Sequence, residues 1–294
     1  FDAVLLQGYT HAFERQILRA AHDLGLKVIM RGEFSAHARS AWWKRPMKSV
    51  YLRWFYNQVD AFGVIGESAR RQLADHGVGE DKMAYAPYAV DTDLLNAQVL
   101  RWSRAEARRK FGYRAKDVVA LFSGKLIERK QPLLFLEALQ RTPQVHGLIL
   151  GDGPLRPACE RLIADMPGKV QWPGFINQSE LGFYFRAADF LVLPSTYETW
   201  GLVVNEAMLF GLPVIVSDKV GCRLDLVRPG TTGLVFPAGD RDALAWALED
   251  LASDPARRGR MGGNARKHIR SFSTIGVADG LVEALRLAQN GRRR

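Results

Sequence analysis

The first part of the chain alternates short apolar runs with segments whose apolar residues recur every three or four positions. Apolar runs occupy residues 1–7, 26–30 and 61–66, and a shorter run at 82–87 leads into a loop. Residues 10–25 place their apolar side chains on one helical face and end at a glycine. This alternation predicts short strands connected by helices. Further helices are predicted at 49–59, 68–77 and 104–112.

The second part of the chain repeats this rhythm more regularly. Helical segments separate six apolar runs, at 118–124, 145–151, 170–174, 189–195, 213–218 and 232–237. The pattern predicts an α/β fold in which a parallel sheet is covered by helices on both faces. A break near Gly112 to Asp117 divides the chain into a first domain at 1–112 and a second domain at 113–272.

The composition adds a charge imbalance to this picture. The 294 residues include 41 Lys and Arg but only 31 Asp and Glu, which gives a formal net charge of +10. Such an excess favours anionic partners, although a solvated basic surface accounts for it equally well. No apolar run approaches the ~18 residues of a membrane-spanning helix. Cys159 and Cys222 lack any metal-ligand spacing, so a reducing compartment and no metal site are predicted.

Loops that follow the carboxyl ends of parallel strands are where such folds bind ligands. Lys125 and Lys130 follow the run at 118–124, and Pro132 suits the first turn of the next helix. A helix N-terminus beside two lysines is a suitable phosphate site. The alternative is a pair of solvated surface lysines.

Two further loops offer weaker candidates. Gly151 and Gly153 allow close backbone approach, and Asp152 suits either a ligand hydroxyl or the cap of the next helix. Ser179 is predicted to be a helix N-cap. The backbone before it, around Phe175, is a candidate contact for a nucleobase edge.

Two carboxylates accompany the helix predicted after the run at 189–195. Seven residues separate Glu198 from Glu206, and Gly201 lies between them. Eight residues of helix span about 12 Å, too far for the acid and base of one glycosidic cleavage site. Carboxylates bind sugar hydroxyls, and the helix N-terminus between them suits phosphates. The arrangement predicts a nucleotide diphosphate sugar as ligand, with two exposed helix carboxylates as the alternative.

The segment "LPSTYETWGLVVNEAMLFGLPVIVSD" at 193–218, followed by "GTTGLVFPAGD", resembles the donor site of retaining GT-B glycosyltransferases of family 4. The family frame is Pro-Ser…Glu-x-(Phe or Trp)-Gly…Glu-Ala-Met, with seven residues between the glutamates. "SGKLIERKQP" resembles the family's Gly-Arg-Leu…Lys-Gly loop, with Lys125 where Arg is commoner and Gln131 where Gly is usual. "LGDGP" also fits, and the resemblance covers about residues 60–270.

The resemblance implies a GT-B fold, with two Rossmann-like, doubly wound parallel-sheet domains facing a cleft. Residues 273–294 would form a helix that crosses back to the first domain. By the same resemblance, Glu206 holds the donor ribose, Glu198 contacts the transferred sugar, and lysines neutralise the diphosphate. The implied catalytic residues are Lys125, Lys130 and Glu198. The implied donor-binding residues are Gly124, Gly151, Asp152, Gly153, Phe175, Gly201, Leu202, Val203 and Glu206.

The implied reaction is hexosyl transfer from a nucleotide diphosphate sugar with retention of configuration. It uses no metal and no cofactor beyond this co-substrate, because ammonium groups and a helix terminus can supply the positive charge. The acceptor would be a sugar, a lipid-linked glycan or a polysaccharide. Two alternatives stay open: a sugar-nucleotide epimerase or phosphorylase-like GT-B enzyme, and a non-catalytic nucleotide-binding fragment.

Several positions depart from the family pattern. Asp225 in "VGCRLD" stands where Glu is usual, and "YAVD" at 88–91 replaces Asn-Gly-Val-Asp. The family commonly has a His after the second strand, whereas "RGEFS" here places Arg31 and Glu33. These two are candidate acceptor-side or donor contacts, or members of structural ion pairs.

The first residue, Phe1, lies inside an apolar strand. We therefore expect the N-terminal domain to be incomplete, with earlier strands and a glycine-rich loop absent. On that expectation the chain exposes an apolar sheet edge, binds nucleotide and transfers sugar poorly.

Residues 37–58 interleave aromatic and basic side chains. The set is Trp42, Trp43, Tyr51, Trp54, Phe55, Arg39, Lys44, Arg45, Lys48 and Arg53. Core packing of the aromatics and an interfacial helix on anionic lipid are both compatible with this pattern. Nucleic-acid binding is disfavoured because no nucleic-acid fold motif is present. We expect a cytoplasmic protein that contacts the inner membrane face peripherally and binds no nucleic acid.

Overall fold

The computed structural model describes residues 1–34 and 45–291. The chain divides into two compact units: unit 1 comprises Phe1–Ala89 and Phe272–Arg294, and unit 2 comprises Val90–Ser271. The sequence pattern predicts a boundary near Gly112, further along the chain than the observed one between Ala89 and Val90. Residues 92–110 instead pack with unit 2, where they contact a helix at Leu181–Ala187.

Unit 1 is built on a parallel sheet with the strand order β1-β2-β3-β4. The strands are β1 (Ala3–Leu6), β2 (Lys27–Arg31), β3 (Ala61–Val64) and β4 (Met83–Tyr85). The helices are α1 (Ala12–Asp23), α2 (Arg45–Tyr56), α3 (Glu67–Asp75) and α13 (Thr274–Asn290). Helix α13 packs on β2, β3 and β4, where Ala284 and Ala288 meet Ile29, Ala61 and Ala84. These small side chains let the helix lie close to the sheet.

Aromatic side chains form much of the remaining core of unit 1. The ring of Tyr56 contacts those of Tyr9, Phe34 and Phe62 at centroid distances of 5.6–6.2 Å. Phe55 is also fully buried. Core packing therefore accounts for part of the aromatic and basic segment predicted at 37–58. Its members Arg39, Trp42, Trp43 and Lys44 lie outside the described residues.

Unit 2 contains a six-stranded parallel sheet with the order β10-β9-β8-β5-β6-β7. The strands are β5 (Val118–Ser123), β6 (Val145–Leu150), β7 (Val170–Gly174), β8 (Phe190–Leu193), β9 (Val214–Ser217) and β10 (Gly233–Phe236). This is the doubly wound order in which the first and fourth strands are neighbours. Ala120 and Leu121 of β5 pair with Phe190 and Leu191 of β8. The chain departs in opposite directions from these two strands, which defines the topological switch point.

Unit 2 contains nine α-helices within the described residues. They are α4 (Thr92–Arg101), α5 (Arg104–Lys110), α6 (Pro132–Gln140), α7 (Arg156–Ala164), α8 (Leu181–Ala187), α9 (Leu202–Leu209), α10 (Arg223–Leu226), α11 (Arg241–Ser253) and α12 (Pro255–His268). The sequence pattern did not predict α4. Its start is fixed by the Asp91 carboxylate, which accepts a 2.9 Å hydrogen bond from the Leu94 N–H. In the part of the chain that the structure describes, no helix is long and apolar enough to cross a bilayer.

A buried carboxylate ties two helices, α5 and α12, to the start of the unit 2 sheet. Asp189 precedes β8 and accepts hydrogen bonds from Arg104 at 2.8 Å, Arg108 at 3.1 Å and the Val119 N–H at 2.9 Å. Arg258 of α12 approaches the same carboxylate at 3.4 Å. The side chains of Asp189 and Arg108 are only 8% and 6% exposed. Asp189 therefore holds three guanidinium groups at the amino end of β8.

Candidate functional site

The loops after β5 and β8 meet at the switch point of unit 2. The β5 loop contains a 3₁₀ turn at Glu128–Lys130 and leads into α6, which begins at Pro132. Gln131 joins them in the left-handed conformation, with φ of 55°. Its side-chain amide donates to the Glu128 carbonyl at 2.6 Å. The position requires a positive φ, which the glycine usual in the resembling family adopts without strain.

The β8 loop is held in an extended conformation between two neighbouring segments. On one side, the Thr196 N–H donates to the Arg129 carbonyl at 2.9 Å. On the other, the Glu198 N–H donates to the Lys219 carbonyl at 3.2 Å, and the Gly221 N–H donates to the Glu198 carbonyl at 2.9 Å. A Cβ at Gly221 would lie 1.9 Å from the Thr199 carbonyl oxygen, so a side chain there would displace this loop. The backbone around Glu198 is therefore fixed on both sides.

Lys130 and Glu198 meet at this point and form an ion pair between Lys130 Nζ and Glu198 Oε2. Arg129 Nη1 approaches the other carboxylate oxygen at 3.4 Å. The side chains of Lys130 and Glu198 are 15% and 11% exposed, so the pair is largely shielded from water. Two cations against one carboxylate leave a net positive charge at the switch point. The structure thus brings together two of the three residues implied to be catalytic.

Lys125, the third of those residues, begins the same loop but is exposed and takes no part in this ion pair. Arg129, which no sequence motif indicated, lies beside Glu198 instead. The charged run "ERK" at 128–130 is the sequence feature that could have indicated Arg129. The stem of Lys130 passes beside Gly124, where a Cβ would lie 3.8 Å from Lys130 Cδ.

Helix α9 begins directly after the Glu198 loop. Gly201 caps it in a left-handed conformation, with φ of 107°. Leu202 and Val203 form its first turn, where backbone N–H groups lack partners within the helix. Behind the loop, Trp200 Nε1 donates to Asn205 Oδ1 at 2.9 Å, and both side chains are buried. This bond fixes the loop to the helix, so the N-terminus of α9 and Glu198 keep a defined relation.

Glu206 lies one turn into α9 and is partly buried. Burial raises the pKa of its carboxyl to about 7, because the charged form loses solvation. Glu206 is thus helical, whereas Glu198 lies in the loop before α9, so only part of the span between the two carboxylates is helix. The two carboxylates differ in environment, since Glu198 contacts two cations.

The β6 loop approaches the β5 loop through its glycines. Gly151 has φ of 129°, and a Cβ on it would lie 2.1 Å from the Gly124 carbonyl oxygen. Asp152 makes local contacts: its carboxylate accepts from the Gly153 N–H at 2.7 Å and from Arg156 at 3.1 Å. Asp152 does not cap α7, whose N-cap position is Leu155, and its carboxylate is held in a local network before the helix.

Two residues after β7 were also singled out from the sequence. Phe175 is 75% exposed and follows the strand end at Gly174. The prediction of Ser179 as a helix N-cap is wrong, because a 3₁₀ turn at Gln178–Glu180 precedes α8. The N-cap position of α8 is Glu180.

The candidates on unit 1, Arg31 and Glu33, lie at and just beyond the carboxyl end of β2. Arg31 donates to the carbonyls of Ala86 and Pro87, each at 3.2 Å, and its guanidinium lies 4.8 Å from the Tyr88 ring centroid. Burial lowers the pKa of Arg31, and burial followed by the Glu33 charge raises the pKa of Tyr88. These contacts give Arg31 a role in anchoring the backbone after β4.

Two further observations concern Asp225, which departs from the family pattern, and the side chains that could bind a metal ion. Asp225 lies in α10, and its backbone carbonyl accepts a hydrogen bond from His268 Nε2 at 2.8 Å. Across residues 1–34 and 45–291, His, Cys, Asp and Glu form no group of three placed to hold a metal ion. Both cysteines are buried and free.

Comparison with protein families identifies the chain. Residues 103–268 match the family described as glycosyl transferases group 1. A D-inositol 3-phosphate glycosyltransferase of Rhodococcus jostii is 32% identical over 69% of this chain. An alpha-D-kanosaminyltransferase of Streptomyces kanamyceticus is 33% identical over 55% of the chain. The chain belongs to the glycosyl transferases group 1 family, which confirms the resemblance seen in the sequence.

The chain spans about half the length of the curated relatives it matches, 48% of the Rhodococcus protein and 43% of the Streptomyces protein. Among solved structures, sucrose-phosphate synthase from Thermosynechococcus elongatus matches with a TM-score of 0.76 at 24% identity, over 93% of this chain and 70% of that one. Anabaena HepE, in complex with UDP and glucose, matches with a TM-score of 0.76 at 18% identity, over 97% and 78%. These matches confirm the predicted GT-B fold class.

Proposed function

We propose that the chain transfers a sugar from a nucleotide diphosphate sugar to an acceptor. The observation that carries the proposal is the Lys130–Glu198 ion pair at the switch point. Glu198 lies in the loop that leads into α9, and Glu206 lies one turn into that helix. Anabaena HepE, which shares the fold, has been crystallised with UDP-glucose. The two relatives named above are glycosyltransferases.

In this proposal the diphosphate lies at the first turn of α9. The N–H groups of Leu202 and Val203 and the Lys130 ammonium provide the positive charge that two phosphates need. Lys130 can turn from Glu198 to a phosphate because Arg129 still contacts the carboxylate at 3.4 Å. Glu198 is then available to a hydroxyl of the transferred sugar. Lys125, exposed at the start of the same loop, adds to the positive potential.

Glu206 is proposed to accept hydrogen bonds from the two ribose hydroxyls of the nucleotide. Gly151 and Gly153 let the β6 loop pack directly against the carbonyls of Gly124 and Leu126, so they support the donor site through the shape of its loops. The exposed ring of Phe175 lies at the carboxyl end of β7. Asp152 plays a lesser part, because its carboxylate is engaged with Gly153 and Arg156.

The finer parts of the proposal are retention of configuration and independence of metal. Lys130 and the helix terminus can stabilise the charge that develops on the leaving diphosphate. Arg31 and Glu33 at the carboxyl edge of the unit 1 sheet are the acceptor-side candidates. The proposal includes a cytoplasmic protein at an anionic membrane surface, supported by two free cysteines and by the basic helix α2.

A thermal-shift screen against UDP-, GDP- and ADP-sugars tests this proposal first. One nucleotide series is expected to raise the melting temperature, because a ligand that binds the folded state stabilises it by mass action. Turnover of the selected donor, followed by NMR assignment of the product anomer with and without EDTA, then tests transfer, retention and metal independence. Release of an epimerised donor would favour the epimerase alternative, and binding without turnover would favour a non-catalytic fragment.

The raised pKa of Glu206 predicts a pH dependence of nucleotide binding. Only the ionised carboxylate accepts two hydroxyl hydrogen bonds, so affinity should fall as pH drops through about 7. Between pH 8 and pH 6 we expect UDP to bind about tenfold more weakly, since the ionised fraction falls by that factor. Calorimetric titration across this range measures the effect.

Glu206→Gln is the matched control, because it keeps the shape and removes the titration. The affinity of this variant for UDP should be low. It should vary with pH only because the phosphate of the nucleotide titrates. The folding stability of the unliganded protein should depend on pH in the opposite direction and fall as pH rises. A carboxyl whose folded pKa is raised stabilises the fold below its unfolded pKa, and that contribution is lost as pH rises through about 7. Equal pH profiles for the wild type and Glu206→Gln would contradict the ribose assignment.

A further inference from the structure

Helix α2 has two apolar faces, and only one of them is covered. Leu52, Phe55 and Tyr56 point into the core of unit 1 and are at most 1% exposed. Met47, Val50 and Trp54 are 68%, 70% and 53% exposed. Because they are spaced three and four residues apart, they form a single stripe along the helix. The buried face meets the needs of the fold, so the exposed stripe requires another explanation.

The position of the stripe distinguishes it from scattered surface residues. At 100° per residue, Met47, Val50 and Trp54 lie almost opposite Leu52 on the helix. A surface helix of a globular protein normally carries polar residues on that side. The Trp54 ring also contacts the ring of Tyr51 at 5.9 Å, which extends the apolar surface sideways.

The charge of the helix indicates which partner covers this stripe. Arg53 is exposed beside the stripe, whereas Lys48 is half-buried on the Leu52 side of the helix, and α2 contains no acidic residue. In the sequence, residues 35–59 carry five Lys and Arg and no Asp or Glu. An apolar stripe with an arginine beside it and a tryptophan within it is suited to the interface of an anionic bilayer, where the ring lies at headgroup level. A protein partner would instead need a compensating acidic surface.

We propose that the outer face of α2, formed by Met47, Val50 and Trp54 with Arg53 beside it, docks on anionic lipid. The stripe enters the headgroup region, and the Arg53 guanidinium contacts a lipid phosphate. The role of this docking rests on the proposed function, because it would bring a glycosyltransferase to a membrane-borne acceptor. Lipid binding and donor turnover are separate measurements, so failure of one is distinguishable from failure of the other.

Vesicle flotation of the full chain tests the proposal. The probes are vesicles of phosphatidylcholine alone and vesicles that also contain phosphatidylglycerol. The wild type is expected to bind the anionic vesicles and to be released as salt rises, because the Lys and Arg contribution is screened. The double variant Val50→Ser with Trp54→Ser should bind at least about tenfold more weakly, equivalent to about 1.4 kcal/mol. Arg53→Gln should weaken binding to the anionic vesicles alone.

Trp246→Ser provides the matched control. Trp246 lies on α11 of unit 2 and is 64% exposed, so it tests the loss of one exposed tryptophan elsewhere. Its vesicle binding should equal that of the wild type, and circular dichroism should show all variants folded. Three results would overturn the proposal: no binding of the wild type to anionic vesicles, equal binding by the double variant and Trp246→Ser, or a wild-type dimer that the double variant converts to monomer. The last would assign the stripe to a second copy of the chain.

Discussion

Replacing Lys130 with alanine is expected to lower turnover of the donor sugar by about 100-fold or more. The ammonium lies at the switch point in the loop that faces the segment leading into α9. In the proposed reaction, the leaving diphosphate gains negative charge there as the sugar departs. Removing one such preorganised donor typically costs about 10²–10³-fold in kcat. The effect on the dissociation constant for the nucleotide should be smaller, because the charge grows in the transition state. Steady-state kinetics with the donor identified by thermal shift measures both quantities.

Lys116→Ala is the control for Lys130→Ala. Lys116 is an exposed lysine in the segment before β5, away from the loops after the strands. Its removal tests a general effect of one lost positive charge and should leave turnover near that of the wild type. The turnover of Lys125→Ala should lie between those of Lys130→Ala and Lys116→Ala. Lys125 is exposed in the same loop as Lys130 but takes no part in the ion pair with Glu198. Turnover of Lys130→Ala similar to that of Lys116→Ala would refute the role assigned to Lys130.

Replacing Asp189 with asparagine is expected to lower the free energy of unfolding of unit 2 by about 3–5 kcal/mol. The substitution leaves Arg104, Arg108 and Arg258 beside a neutral amide. Arg108 is 6% exposed, so water cannot replace the lost carboxylate. For a unit of this size, such a loss lowers the melting temperature by roughly 10 °C. Thermal and urea unfolding followed by circular dichroism measure it.

Asp242→Asn is the matched control for this effect. Asp242 forms an ion pair with Arg141, but its side chain is 73% exposed and the pair is solvated. Exposed pairs of this kind contribute about 0–1 kcal/mol. The two asparagine variants therefore separate a buried charge cluster from a surface one. Equal melting temperatures for Asp189→Asn and Asp242→Asn would show that the three arginines do not depend on Asp189.

The strands of both sheets were predictable because each is a short apolar run that ends at a polar or glycine-containing loop. All six runs of the second half became strands of one parallel sheet. Helix α4 was not predicted, since Asn96 and Gln98 interrupt its apolar positions and Gln98 is buried through a hydrogen bond to the Gln178 carbonyl. That partner lies 80 residues away, so no local pattern reports it.

The candidate site was predictable to the level of loops but not of contacts. Lys130 and Glu198 were both singled out, yet their ion pair depends on β5 and β8 being neighbours, which only the strand order fixes. Arg129 was missed because its neighbours in sequence are also charged. Lys125 and Lys130 had looked equivalent, but the turn at Glu128–Lys130 directs only Lys130 towards Glu198.

A crystal structure of the chain with bound UDP tests the central claim most directly, because that claim places a nucleotide diphosphate on unit 2. We predict that the diphosphate lies at the N–H groups of Leu202 and Val203, with Lys130 Nζ within hydrogen-bonding distance of a phosphate oxygen. The ribose hydroxyls should lie against Glu206, and Arg129 should retain its contact with Glu198. A nucleotide bound elsewhere on the chain, or one at this site with its ribose away from Glu206, would contradict the account.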